Sequence, residues 1–248
     1  YEEVEEEEEV IESGAVVPAL PQAIAKRKEA EELGAETSKF EGSEQYDYQG
    51  RTYMHVPQDL DIDLRKEPGS SKNYVPKKLV HTWKSHTKPI AGLRFFPGSG
   101  HLLLSGSADT TVKIWDVYHQ KELLRTYSGH TKALSDITFN ASGTHFLSAS
   151  YDRMMKLWDT ETGQCINRFT TGKTPHVVKF NPSPEHSNEF LAGMSDKKII
   201  QFDIRTREIV QEYDHHLAAI NTITFVDENR RFMTTSDDKS LRAWDYNI

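Results

Sequence analysis

The sequence predicts an all-β fold: a β-propeller of four-stranded antiparallel blades, preceded by an extended acidic and helical N-terminal segment. Three observations predict it. A similar segment recurs four times with a step of about 43 residues, apolar and polar residues alternate with a period near two around each recurrence, and glycines stand where tight hairpins need them. Repeated four-stranded units of this length are typical of propeller blades.

The four recurring segments share an Asp placed six residues before an aromatic residue, which is itself followed by Asp. They are SADTTVKIWD (107–116), SYDRMMKLWD (150–159), MSDKKIIQFD (194–203) and SDDKSLRAWD (236–245). One such match is a weak signal, but four in phase are strong, and a period of about 40–45 residues ending in Trp-Asp is the signature of WD40 repeats. We therefore predict WD40 repeats over residues 79–248.

Further strands complete each predicted blade. An apolar strand precedes each pair, with core residues Ile90 to Phe95, Leu134 to Phe139, Val177 to Phe180 and Ile220 to Phe225. A fourth strand follows in the first three repeats, while the last repeat stops at Ile248. Since propellers of this type usually have seven blades, we expect four repeats of seven, with Lys78 to Trp83 as an outer strand that would close the ring.

Each typical WD40 blade holds a hydrogen-bonded tetrad of His, Ser or Thr, Asp and Trp, because a buried imidazole and a buried indole N–H both require partners. The predicted tetrad residues are His86, Asp109 and Trp115, then His130, Asp152 and Trp158, then His216, Asp238 and Trp244. The hydroxyl stays open between Ser105 and Ser107 in the first repeat, and between Ser148 and Ser150 in the second.

The third repeat departs from this pattern at every tetrad position except the Asp. Phe202 replaces Trp, TGKTP stands where Gly-His is expected, and Ala192 and Met194 occupy the hydroxyl positions. Because half of a buried network costs more than apolar packing, we expect the network to be lost as a unit, with Asp196 kept as a turn residue.

The N-terminal part divides into two predicted segments. Residues 1–45 are acidic and partly disordered, with eight Glu among residues 1–12 and a short helix from Pro18 to Leu33. Residues 46–78 form an extended aromatic and basic linker. Its tyrosines Tyr46, Tyr48 and Tyr53 are either a docking segment for a partner or a flap packed on the outside of the propeller.

Two further groups of residues are candidates for contacts with partners. The basic residues near the linker either contact RNA phosphates or are solvated without a ligand; they are Arg65, Lys66, Lys72, Lys77, Lys78, Lys84 and Lys88. Tyr151 and Arg153 lie beside Asp152, in a turn where WD40 proteins often bind peptides. Tyr151 either contacts a partner or packs against the next blade.

Several functions are not expected. The single Cys165 rules out an internal disulfide, and Gly172-Lys173-Thr174 lacks the first Gly and the helix of a phosphate-binding loop. No apolar run approaches the roughly 18 residues of a membrane helix. We therefore expect no enzyme activity, cofactor, metal site, membrane contact or small-molecule substrate.

Segments inside and outside the repeats resemble one branch of the WD40 superfamily. They are YDYQGRTYMHVPQDL, PKKLVHTWKSHTKPI, YDRMMKLWDTETGQCI, DENRRF and SDDKSLR. The branch is the pre-mRNA-processing factor seventeen family. The resemblance implies a nuclear, non-catalytic scaffold of the spliceosome that supports exon ligation, the second step, with other spliceosomal proteins and small nuclear RNA or pre-mRNA as partners. The alternative is a substrate-recognition or adaptor subunit of a ubiquitin ligase or chromatin complex.

Overall fold

The computed structural model describes residues 35–65, 69 and 74–248, and the backbone of residues 8–10 and 16–18. The chain divides into two compact units, Tyr1–Ala35 and Glu36–Ile248. In the first unit, β1 (Glu8–Val10) and β2 (Val16–Pro18) form an antiparallel pair. The predicted helix from Pro18 to Leu33 lies outside the described residues except for Pro18, which ends β2.

The second unit contains four antiparallel sheets, which we number as blades 1 to 4 in chain order. Blade 1 contains β3 (Thr37–Phe40), β4 (Ile90–Phe95), β5 (Leu102–Ser107), β6 (Val112–Asp116) and β7 (Leu123–Ser128). Blade 2 contains β8 (Leu134–Phe139), β9 (His145–Ser150), β10 (Met155–Asp159) and β11 (Cys165–Phe169). In blades 1 and 2 each repeat supplies four strands that pair in chain order.

The last two blades follow the same plan. Blade 3 contains β12 (Pro175–Phe180), β13 (Glu189–Met194), β14 (Ile199–Asp203) and β15 (Ile209–Tyr213), with a 3-10 helix at Pro184–His186. Blade 4 contains β16 (Ile220–Val226), β17 (Arg231–Ser236) and β18 (Leu241–Asp245). The predicted all-β fold of repeated antiparallel blades is confirmed. No helix in the described part of the chain is long and apolar enough to cross a membrane.

The core lies between successive blades, where the first strand of one blade packs on the blade before it. Ile137 and Phe139 of β8 are 0% and 8% exposed, since blade 1 covers them. The matching residues of β4, Leu93 and Phe95, are 49% and 63% exposed, because no described sheet packs on that side of blade 1. Residues 78–83, expected as an outer strand, pair with no strand among the described residues.

Blade 1 has a fifth strand that the repeat pattern does not predict. β3 pairs antiparallel with the outer strand β7, with Thr37 opposite Ser128 and Phe40 opposite Arg125. We call residues 36–59, which include β3 and the loop after it, the strap. From the sequence, residues 37–40 are predicted to lie in a separate acidic segment. The structure instead attaches them to the first blade, because β7 offers an open edge that a short extended segment can cover.

Candidate partner-binding surfaces

Each tetrad links a loop and a turn at one end of its blade. In blade 1, Nδ1–H of His86 donates to Oδ2 of Asp109 at 2.8 Å. Nε2 of His86 lies 2.8 Å from Oγ of Ser105, which also accepts the indole N–H of Trp115 at 2.8 Å. With its proton placed on Nδ1, the imidazole gives every group in this hydrogen-bond network a partner.

The structure assembles the same network in blades 2 and 4. In blade 2, Nδ1 and Nε2 of His130 lie 2.8 and 2.7 Å from Asp152 and Ser148, and Trp158 donates to Ser148. In blade 4, His216 bridges Asp238 and Thr234 at 2.8 Å each, and Trp244 donates to Thr234. The open choice of hydroxyl is thereby resolved: Ser105 and Ser148 are the tetrad members.

The alternative serines have a different role. Oγ of Ser107 donates to the backbone carbonyls of Lys88 and Pro89 and accepts the backbone N–H of Asp109. Ser150 makes the equivalent contacts with Lys132, Ala133 and Asp152. Both serines therefore fix the turn that carries the tetrad Asp against the loop leading into the blade.

A hydrogen-bonded Ser–His–Asp set is also the catalytic arrangement of serine hydrolases. Here the hydroxyl residues are buried, with Ser105 1% exposed and Ser148 and Thr234 0% exposed. Each hydroxyl oxygen additionally accepts an indole N–H. A substrate carbonyl cannot reach these oxygens, so the tetrads hold the fold and perform no chemistry.

The tetrad carboxylates are stabilised in their charged form. Burial raises the pKa of Asp109, but hydrogen bonds from Thr111, His86 and Thr87 outweigh it and hold the pKa at about 2. The pKa of Asp152 is likewise lowered, because hydrogen bonds from His130, Met154 and Thr131 offset burial. In blade 4, the Ser240 hydroxyl and the Leu217 backbone lower the pKa of Asp238.

Blade 3 replaces the whole network with apolar contacts. Ala192 and Met194 are 0% exposed, and Phe202 stacks on Phe190 with ring centroids 5.1 Å apart. Oδ1 of Asp196 is buried, with no hydrogen-bond partner among the described residues.

The tetrads present a row of turns at one end of the blades, which we call the top face. It comprises the turns between the second and third strands and the loops that lead into the first strands. Tyr151 lies there, 46% exposed, with its ring edge-on to His176 of blade 3 at 6.0 Å. Arg153 is exposed, and its carbonyl accepts a hydrogen bond from Thr170. The Tyr151 ring therefore contacts the next blade, as the packing alternative expects, and because it remains accessible, contact with a partner stays a prediction.

The strap is attached to blades 1 and 2 through Arg125 of β7. The Arg125 guanidinium lies over the Phe40 and Tyr53 rings, 5.7 and 5.9 Å from their centroids. It donates to Ser38 in the strap and to the Thr162 carbonyl in blade 2. Gly163, with φ +81°, allows this approach, because a Cβ there would lie 2.1 Å from the Ser38 hydroxyl.

A buried ion pair reinforces this attachment. Nζ of Lys156, whose side chain is 0% exposed, lies 2.9 Å from Oε1 of Glu36 and also donates to the Gly129 carbonyl. Arg168 donates to both carboxylate oxygens of Glu36. Burial raises the pKa of Glu36, but the hydrogen bonds from Arg168 and Lys156 outweigh it and lower the pKa to about 2.

These contacts divide the three linker tyrosines. Tyr53 packs against the core and donates its hydroxyl to the Thr160 carbonyl of blade 2, as the flap alternative expects. Tyr46 and Tyr48 are 57% and 90% exposed, and they border a cleft of about 520 Å³ between the strap and blade 1. Only Tyr46 and Tyr48 are thus free to serve as docking residues.

The basic linker candidates are exposed wherever the structure describes them. Arg65, Lys77, Lys78, Lys84 and Lys88 are exposed, while Lys66 and Lys72 lie outside the described residues.

Burial raises the pKa of the Cys165 thiol to about 11, which disfavours the reactive thiolate. Among the described residues, no three His, Cys, Asp or Glu side chains are grouped as metal ligands.

Sequence reasoning missed Glu36, Arg125 and Lys156. A signal existed for Lys156: it stands two residues before the aromatic anchor, inside a strand that is otherwise apolar. A buried cation requires a partner carboxylate, but nothing in the repeat shows that the partner comes from the strap.

Comparison with known proteins agrees with this architecture. The family model "WD domain, G-beta repeat" matches residues 77–116, 121–159 and 207–245, which leaves out most of blade 3. The chain is 59% identical over 222 residues to "Pre-mRNA-processing factor 17" of Homo sapiens and of Mus musculus. It is 42% identical over 216 residues to the protein of that name in Saccharomyces cerevisiae.

These matches cover most of this chain but less than half of each relative. They span 90% of the chain and 38% of the human and mouse proteins. The yeast match spans 86% of the chain and 47% of the relative.

Proposed function

The chain belongs to the WD40-repeat proteins and is similar over most of its length to pre-mRNA-processing factor 17, and on that premise we propose that it acts in pre-mRNA splicing. It acts in the nucleus as a non-catalytic scaffold of the spliceosome. It supports the second step, exon ligation, by holding spliceosomal proteins together with small nuclear RNA or pre-mRNA.

The observation that carries this proposal is the extent of the similarity. A match over 90% of the chain must include the strap, because only about a tenth of the chain lies outside it. The strap is no part of a WD40 repeat, and most of its anchoring contacts with blades 1 and 2 come from side chains. The similarity therefore extends beyond the features that all WD40 proteins share, and it favours splicing over other WD40 functions.

The geometry supports a scaffold role in two ways. The tetrads bury their polar groups and leave rigid turns on the surface. Aromatic residues and arginine are typical of the residues that dominate interfaces. Exposed residues of this kind are Tyr151 and Arg153 on the top face, and Tyr46 and Tyr48 on the strap. We propose these four residues as contacts with spliceosomal partners.

The test is affinity purification of the tagged chain from nuclear extract at moderate salt, with sequencing of the RNA that comes with it. We expect spliceosomal small nuclear RNAs together with lariat intermediates. Recovery of ubiquitin-ligase or chromatin proteins without these RNAs would overturn the splicing proposal and support the adaptor alternative.

Two variants test the proposed contacts in the same assay. Tyr151→Ala and Tyr48→Ala change exposed side chains, so the blades stay folded and we expect each to reduce recovered spliceosomal protein severalfold. Arg230→Ala is the matched control, since Arg230 is 76% exposed at the opposite end of the blades. Equal recovery with all three variants would show that neither tyrosine contacts a partner.

A further inference from the structure

The two ends of the blades carry opposite charge. The top-face segments hold seven basic and five acidic residues. These segments are 86–89, 107–111, 130–133, 150–154, 172–175, 194–198, 216–219 and 236–240. The segments at the opposite end hold four basic and nine acidic residues. These segments are 96–101, 116–122, 140–144, 159–164, 181–188, 203–208 and 227–230. An anionic ligand is therefore attracted to the top face and repelled from the other.

Three of the five top-face acids contribute little exposed negative charge, whereas Asp237 is exposed and accepts a hydrogen bond from Asn221. Asp109, Asp152 and Asp238 are engaged by tetrad histidines and backbone N–H groups, and their side chains are 9% exposed or less. The exposed cations face solvent without an ion-pair partner among the described residues; they are Lys88, Lys132, Arg153, Lys173, Lys197 and Lys239. The accessible charge of the top face is therefore more positive than its composition alone indicates.

Three of these cations occupy one position in successive blades. Arg153, Lys197 and Lys239 each follow the Asp of the turn, with φ of 70°, 70° and 65°. Gly or Asn adopts this left-handed conformation at lower cost. The turn therefore does not require a cation. Lys121 and Arg207 of the opposite face also have positive φ, so what sets the top face apart is that a basic residue recurs at one position in three successive blades.

An exposed aromatic ring adjoins this row. Tyr151 is two residues from Arg153, and the edge of His176 holds its ring in place. A row of cations beside an exposed aromatic side chain is the arrangement by which proteins bind single-stranded nucleic acid, with phosphates on the cations and a base stacked on the ring.

We propose that the top face binds single-stranded RNA, with Arg153, Lys197 and Lys239 contacting phosphates along the strand and Tyr151 stacking on a base. This site is separate from the linker cations Lys77 and Lys78. It rests on the proposed function and specifies which surface of the protein contacts RNA. The strand runs across blades 2, 3 and 4, whose first strands pack side by side.

The experiment measures binding of a fluorescent 20-nucleotide oligouridine to the purified chain by anisotropy, over a range of salt concentrations. The triple variant Arg153→Asn, Lys197→Asn, Lys239→Asn removes the three cations and places Asn, which tolerates positive φ, at each position. We expect its Kd to rise at least tenfold. The slope of log K against log salt should fall by about 2, since each phosphate contact on a single strand contributes about 0.7.

A charge-matched control comes from the opposite face. Arg205→Asn, Arg207→Asn, Arg230→Asn removes three exposed cations, including Arg207 with φ 64°, so the net charge changes equally. We expect less than a twofold change in Kd. Equal weakening by both triple variants would show that net charge alone attracts RNA, and it would overturn the proposal.

Further variants separate the remaining outcomes. Tyr151→Ala should weaken oligouridine binding about fivefold and leave binding of inorganic polyphosphate unchanged. Lys77→Asn, Lys78→Asn should change the Kd less than twofold; a larger loss there than in the top-face triple would assign the contact to the linker. Polyglutamate is also tested as a competitor of the fluorescent oligouridine. If it displaces the oligouridine as well as unlabelled RNA of equal charge does, the top face is a site for acidic proteins and the RNA assignment is overturned.

The outcome is separable from that of the proposed function. Unchanged oligouridine binding by the top-face triple, with spliceosomal RNAs still recovered from nuclear extract, overturns only this site. Tight top-face RNA binding without spliceosomal RNAs in the purification overturns the splicing role and leaves the RNA site in place.

Discussion

Blades 2 and 3 have the same strand order and the same pairing, yet they stabilise it differently. In blade 2 Trp158 stacks on Phe146, with ring planes 13° apart, and its indole belongs to the tetrad. In blade 3 Phe202 stacks on Phe190 at 17° and belongs to no polar network. The shared aromatic stack shows that strand pairing and ring packing carry the shape of a blade, while the tetrad is a replaceable addition.

The difference extends to the position two residues before the aromatic anchor. Blades 1, 2 and 4 have Lys113, Lys156 and Arg242 there, whereas blade 3 has the buried Ile200. Glu36 of the strap supplies an anion to the buried Lys156, and the Thr126 hydroxyl accepts a hydrogen bond from the buried Lys113. Blade 3 has therefore lost both polar networks, which agrees with the rule that partly satisfied buried networks are costly.

The largest expected effect tests the buried ion pair. Glu36→Ala takes the carboxylate away from an ammonium group that is 0% exposed, and we expect the free energy of unfolding to fall by about 3–5 kcal/mol. Urea denaturation followed by tryptophan fluorescence measures it. Adding Lys156→Ile, which imports the residue of blade 3, should recover most of the loss. A loss below about 1 kcal/mol for Glu36→Ala would mean that the strap does not stabilise blade 2 through this pair.

The next effect tests the tetrad. His130→Ala leaves Asp152 and Ser148 buried with fewer partners, and we expect a cost of about 2–3 kcal/mol in the same denaturation experiment. Thr174→Ala, at the matching position of blade 3, should cost less than about 0.5 kcal/mol.

A combined variant sharpens this test. His130→Thr, Ser148→Ala, Trp158→Phe gives blade 2 the residues of blade 3, and it should cost about 1–3 kcal/mol less than the sum of its three single changes. Strict additivity would contradict the idea that the tetrad is gained or lost as a unit.

Acid should destabilise the polar networks and spare blade 3. The pKa of Asp109 is about 2 in the folded chain against an ordinary 3.8, and that of Glu36 is about 2 against 4.5. The unfolded chain therefore binds protons first, so this stabilisation is complete above about pH 5 and is lost as pH falls towards 2. We expect each carboxylate to contribute on the order of 1 kcal/mol to the loss. Asp109→Asn should flatten the pH dependence of unfolding; an unchanged profile would show that Asp109 does not contribute.

The smallest effect concerns the residual Asp of blade 3. Because Oδ1 of Asp196 has no hydrogen-bond partner among the described residues, Asp196→Asn should change the free energy of unfolding by less than about 0.5 kcal/mol. The matching change Asp152→Asn should cost more, since Asp152 accepts bonds from His130, Thr131 and Met154. Equal costs would show that both residues act only through the turn.

Sequence could predict the blades because their information is local and repeated: four anchors in phase and alternating strands specify each sheet. It could not choose between Ser105 and Ser107, because residues two apart on a strand face the same side. The choice depends on the reach of the His86 ring.

The strap could not be predicted from the sequence for a different reason. TSKF is too short to show alternation, and its strand partner lies about 90 residues away in the chain. Contacts of Glu36 and Tyr53 with blade 2 depend on two blades already being packed together. No local pattern records such a contact.

The strap also imposes an order on synthesis. Glu36 leaves the ribosome before its partner Arg168, which lies 132 residues later in the chain. During translation β3 can pair with β7 once blade 1 has emerged, but Glu36 must wait until β11 has emerged, and closing so long a loop is slow. A ribosome-bound chain that ends before Arg168 would thus hold residues 36–40 through β7 alone, and proteases should cut them faster there than in a released chain that reaches β11.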